Sequence, residues 1–344
     1  MFYLCQTGWF ISRMSQISEG MGPAGRLACF GFCWQTTKRL MATERSSYYR
    51  NRTSFWRSIY AFAEHTTFSA WVRFLNSPGN EAFRDADRLV WYKPLRGYIH
   101  KDWTASRRLK VLKETYGRIR NEAGLERDVF VRRANLVLAM EALGEDEGDV
   151  VIEINHQQRF KREGELSLSI VCERHGGELA SIAFSYEETA AGLVAYVGGV
   201  QGGDGASPAT IKSSTKAMHG LRPKALAVMA LQWYLASRGV VRILGVGDAA
   251  HMSHVKHLIK TRWNRISFSY DQLWIESGGT PIEAGWYELP LSPRRKERSE
   301  IKPNKRALYA RRYELMGRIS KAMALATGRT EKSKVLVNEP SMRR

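Results

Sequence analysis

The sequence predicts an α+β protein: a mixed, mainly antiparallel sheet with a buried crossover helix, flanked by basic N- and C-terminal helices. Three observations carry that expectation. Residues 150–200 alternate apolar and polar positions in short runs separated by Gly-rich turns, the period of half-buried strands. The stretch Ala225, Leu226, Val228, Met229, Leu231, Trp233, Leu235 is apolar on nearly every face, which a helix tolerates only inside a core. Directly after Gly239, Val240–Val246 is a continuous apolar run of strand length, so helix and strand make half of a crossover joining parallel strands.

In chain order, residues 1–42 are expected to be a poorly ordered leader. They lack the early basic region, apolar block and small-residue cleavage site of a secretory signal. Residues 43–143 form a basic, aromatic, helical region. Within it Trp56 and Tyr60, then Phe68, Trp71 and Leu75, recur at helical spacing and end at Asn76-Ser77-Pro78-Gly79. Core-packing helices and a basic helix lying on a membrane surface are both compatible with that pattern. A second helical block is expected over 104–116, continuing after Gly124 toward Leu143, with an acidic linker at 144–149. Residues 144–292 form the α+β core. Its strands are expected at 150–154, 165–171, 179–186 and 193–200, followed by the Gly-rich loop 198–205, the helix opened by Pro223 and closed by Gly239, and Val240–Val246. A short helix at 251–260 and strands at 265–270 and 286–291 complete it. Residues 293–344 form a basic helical tail with a frayed end. Trp233 is expected inside, so that Trp233→Ala costs about 3–5 kcal/mol.

With 344 residues, 44% hydrophobic and 25% charged, the chain has the composition of a globular protein and not of a disordered or disulfide-dense one. Cys5, Cys29, Cys33 and Cys172 are too scattered for a disulfide framework or a structural zinc site, which suggests a reducing cytoplasmic setting. No apolar stretch reaches the ~20 residues of a membrane span. The net charge of +19 is uneven: basic residues exceed acidic ones by 12 over residues 1–140 and by 11 over 293–344, and fall short by 4 between. Such flanks attract polyanions: an anionic membrane surface, a phosphorylated lipid, or tRNA or another nucleic acid. Salt-dependent binding to anionic vesicles is therefore expected of them.

Three constellations could carry chemistry. His219, Arg222 and Lys224 gather at the start of the buried helix, where cations oppose the helix dipole unless an anion binds; pairing of Arg222 and Lys224 with acidic neighbours is the structural alternative. Asp248, His251, His254 and His257 recur every three residues, but that spacing does not bring all four to one helix face, so no metal site is expected. His251 alone remains a candidate acid or base just past the end of a strand. Tyr270, Asp271, Trp274 and Glu276 are expected at a strand end, lining a pocket, with Asp271 either an acid/base group or a turn-capping carboxylate. No nucleophile elbow, Walker loop or zincin motif is present, so serine hydrolysis, P-loop nucleotide use and zincin chemistry have no support.

The runs Gly199-Val200-Gln201-Gly202, Thr215-Lys216 through His219-Gly220-Leu221-Arg222-Pro223-Lys224, Ile243-Leu244-Gly245-Val246, Tyr270-Asp271 through Trp274 and Gly278-Gly279, and Ile301-Lys302-Pro303-Asn304-Lys305-Arg306-Ala307 through Arg311-Arg312-Tyr313 resemble the VirK/YbjX family of bacterial proteins. The resemblance spans about residues 84–319. It departs at Gly247-Asp248, where the family tends to carry a Ser-Asn pair, and it is weak over the first 80 residues. It implies a domain of unknown biochemical activity tied to virulence, envelope modification and antimicrobial-peptide resistance, acting in the cytoplasm or peripherally at the inner membrane.

The order of elements also resembles the acyl-CoA-dependent N-acyltransferase fold and its aminoacyl-tRNA-dependent relatives. That likeness implies a transferase with acyl-CoA or aminoacyl-tRNA as candidate donor. Gln201, Gly202, Gly203, Gly205, Arg222 and Lys224 would hold the donor's phosphates, and His219, His251 or Asp271 would handle protons. Asp204 stands where the phosphate loop of that fold carries a glycine, and the ten residues between Ile154 and Glu165 leave no room for the two helices found there in that fold. The competing expectation is a non-catalytic adaptor that binds anionic lipid or nucleic acid through its basic flanks.

Overall fold

The computed structural model describes residues 22–42, 46–87, 89–122, 124–203, 206–254 and 269–328. The chain divides into two compact units, one reaching Gly97 and including Trp103–Arg120, the other made of Tyr98–Asp102 and the chain from Asn121 onward.

The first unit is helical: α1 (Arg26–Leu40), α2 (Ser47–Ala63), α3 (His65–Asn76), α4 (Glu81–Ala86), a 3-10 turn at Val90–Leu95, and α5 (Ala105–Asn121), whose last residue falls in the second unit. Ser46 caps α2 by accepting the Tyr49 N–H, and α3 buries Phe68, Trp71 and Leu75, the stripe legible in the sequence, together with Val72. Part of the expected leader is thus an ordered helix. Every fourth residue of α1, namely Cys29, Cys33 and Thr37, is buried.

In the second unit, α6 (Leu125–Arg132) ends at Arg133 in the left-handed region (φ 51°). The chain then enters β1 (Leu136–Ala142), where the sequence pattern had suggested more helix. Leu136 and Leu138 point inward with period two, and β1 pairs with β2 (Asp149–Asn155), so tertiary pairing overrides the helical propensity of Leu, Ala and Met. β3 (Leu166–Cys172), β4 (Gly177–Thr189) and β5 (Gly192–Gly202) extend the antiparallel meander. After α7 (Pro208–Ala217) and the crossover helix α8 (Pro223–Ser237), β6 (Val240–Val246) joins β5 in parallel.

The chain continues through α9 (Tyr270–Glu276), β7 (Thr280–Ile282), β8 (Trp286–Leu289) and α10 (Arg306–Gly328). Among the described residues the sheet has eight strands in the order β1-β2-β3-β4-β5-β6-β8-β7, mixed and mainly antiparallel as expected. The short strand β7 had no distinct signal in the sequence. Residues 270–276 form a helix and not a strand end, because Ser269 caps it by accepting the Gln272 N–H. Most of the expected strand at 265–270, the helix at 251–260 beyond a 3-10 turn at Met252–His254, and the frayed end lie outside the described residues.

α8 is largely buried, as expected, but its fully buried aromatic is Tyr234, while Trp233 keeps partial solvent contact. The large truncation cost expected for Trp233 therefore moves to Tyr234. Its hydroxyl and that of Tyr186 both donate to Glu126 Oε1, at 2.8 and 2.7 Å, and Arg238 lies 3.4 Å away, so this buried carboxylate is held by partners.

A second satisfied polar cluster marks β2–β4, where Asn155, Ser167, Ser169 and Ser181 are buried and linked in one network. Ser169 and Ser181 hydroxyls are 2.7 Å apart, and the Asn155 amide donates to Ser169 at 2.8 Å. Residues 156–165 press onto the sheet through a seam of glycines. A Cβ at Gly198 would overlap the Glu163 carbonyl, one at Gly199 the Glu163 side chain, and one at Gly164 the Phe184 backbone. Gly198→Ala is expected to destabilise by about 1–3 kcal/mol or more, since the obstruction is backbone that cannot step aside. Denaturant titration measures this, and an unchanged midpoint would show that the segment is not held there.

Candidate functional site

β5 and β6 pair from Leu193↔Val240 to Val197↔Gly245; β6 ends one residue later, while β5 runs on to Gly202. Where the partner strand leaves, the edge of β5 exposes backbone groups that need other partners. Two side chains supply them. His251 Nε2–H donates to the Gly198 carbonyl at 2.9 Å, and Tyr270 OH accepts from Val200 N–H at 3.4 Å. The Ser253 N–H donates to His251 Nδ1 at 3.2 Å, which assigns the imidazole to the Nε2–H tautomer. The Tyr270 ring stacks between His251, at 5.0 Å, and Trp274, at 6.1 Å, and the Trp274 indole N–H donates to Val246 O at 2.8 Å.

The fourth member is Glu163. Its Oε1 lies 3.8 Å from His251 Nε2, and its Oε2 accepts from the Gln201 amide at 2.8 Å. Burial pushes its carboxyl up to about 7, against weaker downward pulls from Gln201 and Arg159. A carboxyl that titrates near neutrality beside an imidazole is suited to accept and return a proton.

A cavity of about 540 Å³ opens at the end of β5 and the start of α8, lined among others by Gly202, Ala206, Arg222, Lys224, Leu273 and Glu276. Arg222 is the N-cap residue of α8 and contributes no side-chain acceptor to the first turn, so the positive helix end faces this region. The Arg222 guanidinium lies 3.4 Å from Glu276 in a solvent-exposed pair, and burial holds the Lys224 ammonium below the usual lysine range. A second cavity of about 550 Å³ shares Arg222, Ala225, Leu273 and Glu276 with the first and adds Arg294, Lys296, Tyr309 and Arg312.

The residues singled out in the sequence thus fall into separate places. Gly202, Arg222, Lys224 and Glu276 meet in the first cavity; Tyr270, Trp274, His251 and Gln201 meet at the strand divergence. Of the residues expected to form a phosphate loop, Gln201 and Gly202 are the last two residues of β5. Gln201 is directed to Glu163 rather than into the cavity lining, and Gly203 allows close approach to the Glu178 carbonyl. Gly205 and His257 lie outside the described residues, as does the His254 side chain.

His219 adopts φ 54°, and its carbonyl accepts two N–H groups of Arg312, at 3.1 and 3.0 Å. Its imidazole is held below the usual range by burial and by Arg311, Arg318 and Arg312. Asp271 Oδ1 accepts from Asp248 N–H at 2.8 Å, and Asp248 Oδ1 accepts from Tyr270 N–H at 2.7 Å, a reciprocal pair that ties the end of β6 to the start of α9. Neither His219 nor Asp271 is brought to the Glu163–His251 cluster. Among the described residues no group of three His, Cys, Asp or Glu is placed to hold a metal ion. Sequence reasoning missed Glu163, which lay in what looked like a turn; the only signal was the pair of flanking glycine sites, Gly164 and Gly198-Gly199.

Glu163 gives stability a defined pH dependence. In an unfolded chain its carboxyl ionises near 4.5, whereas in the folded protein it does so near 7. Between those values the unfolded state releases the proton and the folded state keeps it, so this contribution is full at acid pH, falls as pH rises through the window, and levels off above about 7. The loss amounts to up to about 3 kcal/mol. Glu163→Gln is expected to remove it, so the variant gains on the wild type between pH 5 and pH 8 in urea titrations. A difference independent of pH would place the carboxylate in contact with water.

The comparisons with known proteins follow the same core. The family model described as "Protein of unknown function (DUF535)" matches residues 44–325. The chain is 28% identical over 231 residues to the "Uncharacterized protein YbjX" of Escherichia coli (strain K12), covering 67% of this chain and 69% of that protein. It is 31% identical over 110 residues to an uncharacterized protein of Haemophilus influenzae, covering 32% of this chain and 36% of that one. No solved structure matches the chain. Since the family model spans most of both units, including the strand divergence and both cavities, the chain belongs to the DUF535 family, in which the YbjX resemblance read from its motifs also falls.

Proposed function

We propose that the protein is an acyl- or aminoacyl-transferase that moves a carboxylic acyl group from a phosphorylated donor to an amine. The observation that carries this reading is the cavity at the start of α8, which sets Gly202, the last residue of β5, together with Arg222 and Lys224. Donor phosphates would lie against Arg222, Lys224 and the helix end. The acceptor amine attacks the acyl carbonyl; a C–N bond forms, the C–S or C–O bond to the donor breaks, and the amine proton passes to the departing thiolate or ribose oxygen. The proposed carrier of that proton is Glu163, with His251 beside it, which lies at the strand divergence outside the cavity lining. The strand order, with one parallel pair bridged by α8, supports the N-acyltransferase likeness as a fold-level analogy. An envelope amine as acceptor, and action at the inner membrane, rest on the VirK/YbjX resemblance alone.

The competing reading, an adaptor that binds an anionic partner without turnover, is favoured by the second cavity with its Arg294, Lys296 and Arg312. Native mass spectrometry of freshly purified protein, followed by melts with coenzyme A and acetyl-coenzyme A, separates the two. Retained acyl-CoA or a raised melting temperature with either compound supports transfer, and co-purified charged tRNA supports the aminoacyl form. Retained lipid or uncharged RNA, with no response to coenzyme A, leaves the adaptor.

A further inference from the structure

α1 and α2 form a hairpin whose residues are distributed the wrong way round for water. Its inner face is small and weakly polar: Cys29, Cys33 and Thr37 of α1 and Thr53, Ser54, Ser58 and Ala61 of α2 are buried, and the Cys33 thiol bonds with Ser58 across the pair. Ser54 and Ser58 return their hydroxyl protons to the carbonyls one turn earlier, at 2.8 Å each, so the face is satisfied without solvent. Phe32 and Leu40 of α1 pack inward with this face, whereas another set of large side chains points outward. Tyr48, Phe55 and Ile59, at i, i+7 and i+11, form one stripe of α2 and are 73%, 46% and 37% exposed; Leu27 of α1 is 68% exposed. Tyr49 and Tyr60 flank the stripe and are also exposed.

A seam of small residues where α1 meets α2, with a bulky apolar stripe on the outer face of α2, is compatible with a helix pair that meets lipid on that face. Neither helix contains Asp or Glu, whereas Arg26, Lys38, Arg39, Arg50, Arg52 and Arg57 provide cations, of which Arg57 lies over the Tyr92 ring within the unit. Tyrosines with an apolar ring and a polar tip suit the boundary between headgroups and acyl chains. Among the described residues no helix is long and apolar enough to cross a bilayer, so the hairpin fits the interface plane.

We propose that the outer face of this hairpin docks on an anionic phospholipid surface, with Tyr48, Phe55, Ile59 and Leu27 entering the headgroup boundary and Arg39 and Arg52 meeting phosphates. This surface belongs to the first unit and stands independently of any transfer chemistry in the second. The full chain should float with vesicles of phosphatidylcholine mixed with phosphatidylglycerol, and weakly with phosphatidylcholine alone. Phe55→Glu/Ile59→Glu should lower the partition coefficient by about tenfold or more, since apolar area is lost from the boundary and like charge is added. Its melting temperature should change little beside the loss of binding, because both side chains reach the surface, at 46% and 37% exposed. Arg39→Gln/Arg52→Gln should weaken binding and flatten its salt dependence.

The proposal is overturned if wild-type protein ignores mixed vesicles, or if Phe55→Glu/Ile59→Glu binds them as the wild type does. It is likewise overturned if tRNA outcompetes mixed vesicles and depends on the same residues, which assigns the face to nucleic acid. Sedimentation showing a wild-type dimer that the apolar variant splits, with no vesicle binding, assigns it to a second copy of the chain.

Discussion

The double variant Arg222→Gln/Lys224→Gln is expected to lose affinity for coenzyme A by a factor of about a hundred or more while remaining folded. Each side chain would make a charge-assisted bond to phosphate worth roughly 1.5–3 kcal/mol, and the two substitutions remove both. The stability side follows from geometry. The Arg222–Glu276 pair is 3.4 Å long with Arg222 68% exposed, so it contributes about 0–1 kcal/mol. Both cations stand at the start of α8, against the helix dipole, so their removal compensates part of that loss. Isothermal titration with coenzyme A, paired with melts of the ligand-free protein, reads both quantities. A large drop in melting temperature without ligand would mean that the pair holds the loop before α8 rather than an anion, and the donor site would lose its two cations.

Trp274→Ala is expected to destabilise the second unit by about 3–5 kcal/mol, roughly 10 °C in melting temperature for a domain of this size. The indole is fully buried, lies against Gly245 and donates its N–H to the Val246 carbonyl, so truncation leaves both a cavity and an unpaired acceptor at the end of β6. Tyr270 stacks on the same ring and in turn on His251, so coenzyme A binding and any transfer should fall together with stability. Trp233→Ala should cost less, because that ring is only partly buried. Equal losses at the two positions in chemical denaturation would show that α9 is not seated on the end of β6.

Much of the architecture is local and therefore legible in the chain. Hairpins need Gly-rich turns and a period of two, both present over residues 150–200, and the parallel partner of β5 follows from one apolar helix and one apolar run. Legibility failed where a choice depended on neighbours distant in sequence. β1 has residues that suit helix as well as strand, and only the free edge of β2 made it a strand. Residues 270–276 share the composition of a strand end, and a single capping serine makes them helical. Arg222 and Lys224 could be placed together because they lie two residues apart at a helix start. Glu163 could not be placed beside His251, 88 positions later, because nothing in local pattern records which loop a strand edge will meet.

The sequence by itself determined the family, the antiparallel meander from β2 to β5, the crossover between parallel strands and the uneven charge. These rest on periodicity, turn chemistry and ordered motifs that each act within a few residues. Tertiary structure alone decided that Gly198 and Gly199 of β5 admit the segment carrying Glu163. It also decided that His251 and Tyr270 complete the edge that β6 abandons, and that α2 turns Tyr48, Phe55 and Ile59 outward. Each of these depends on which surfaces meet, and close packing, backbone pairing and burial become definite only once they have met.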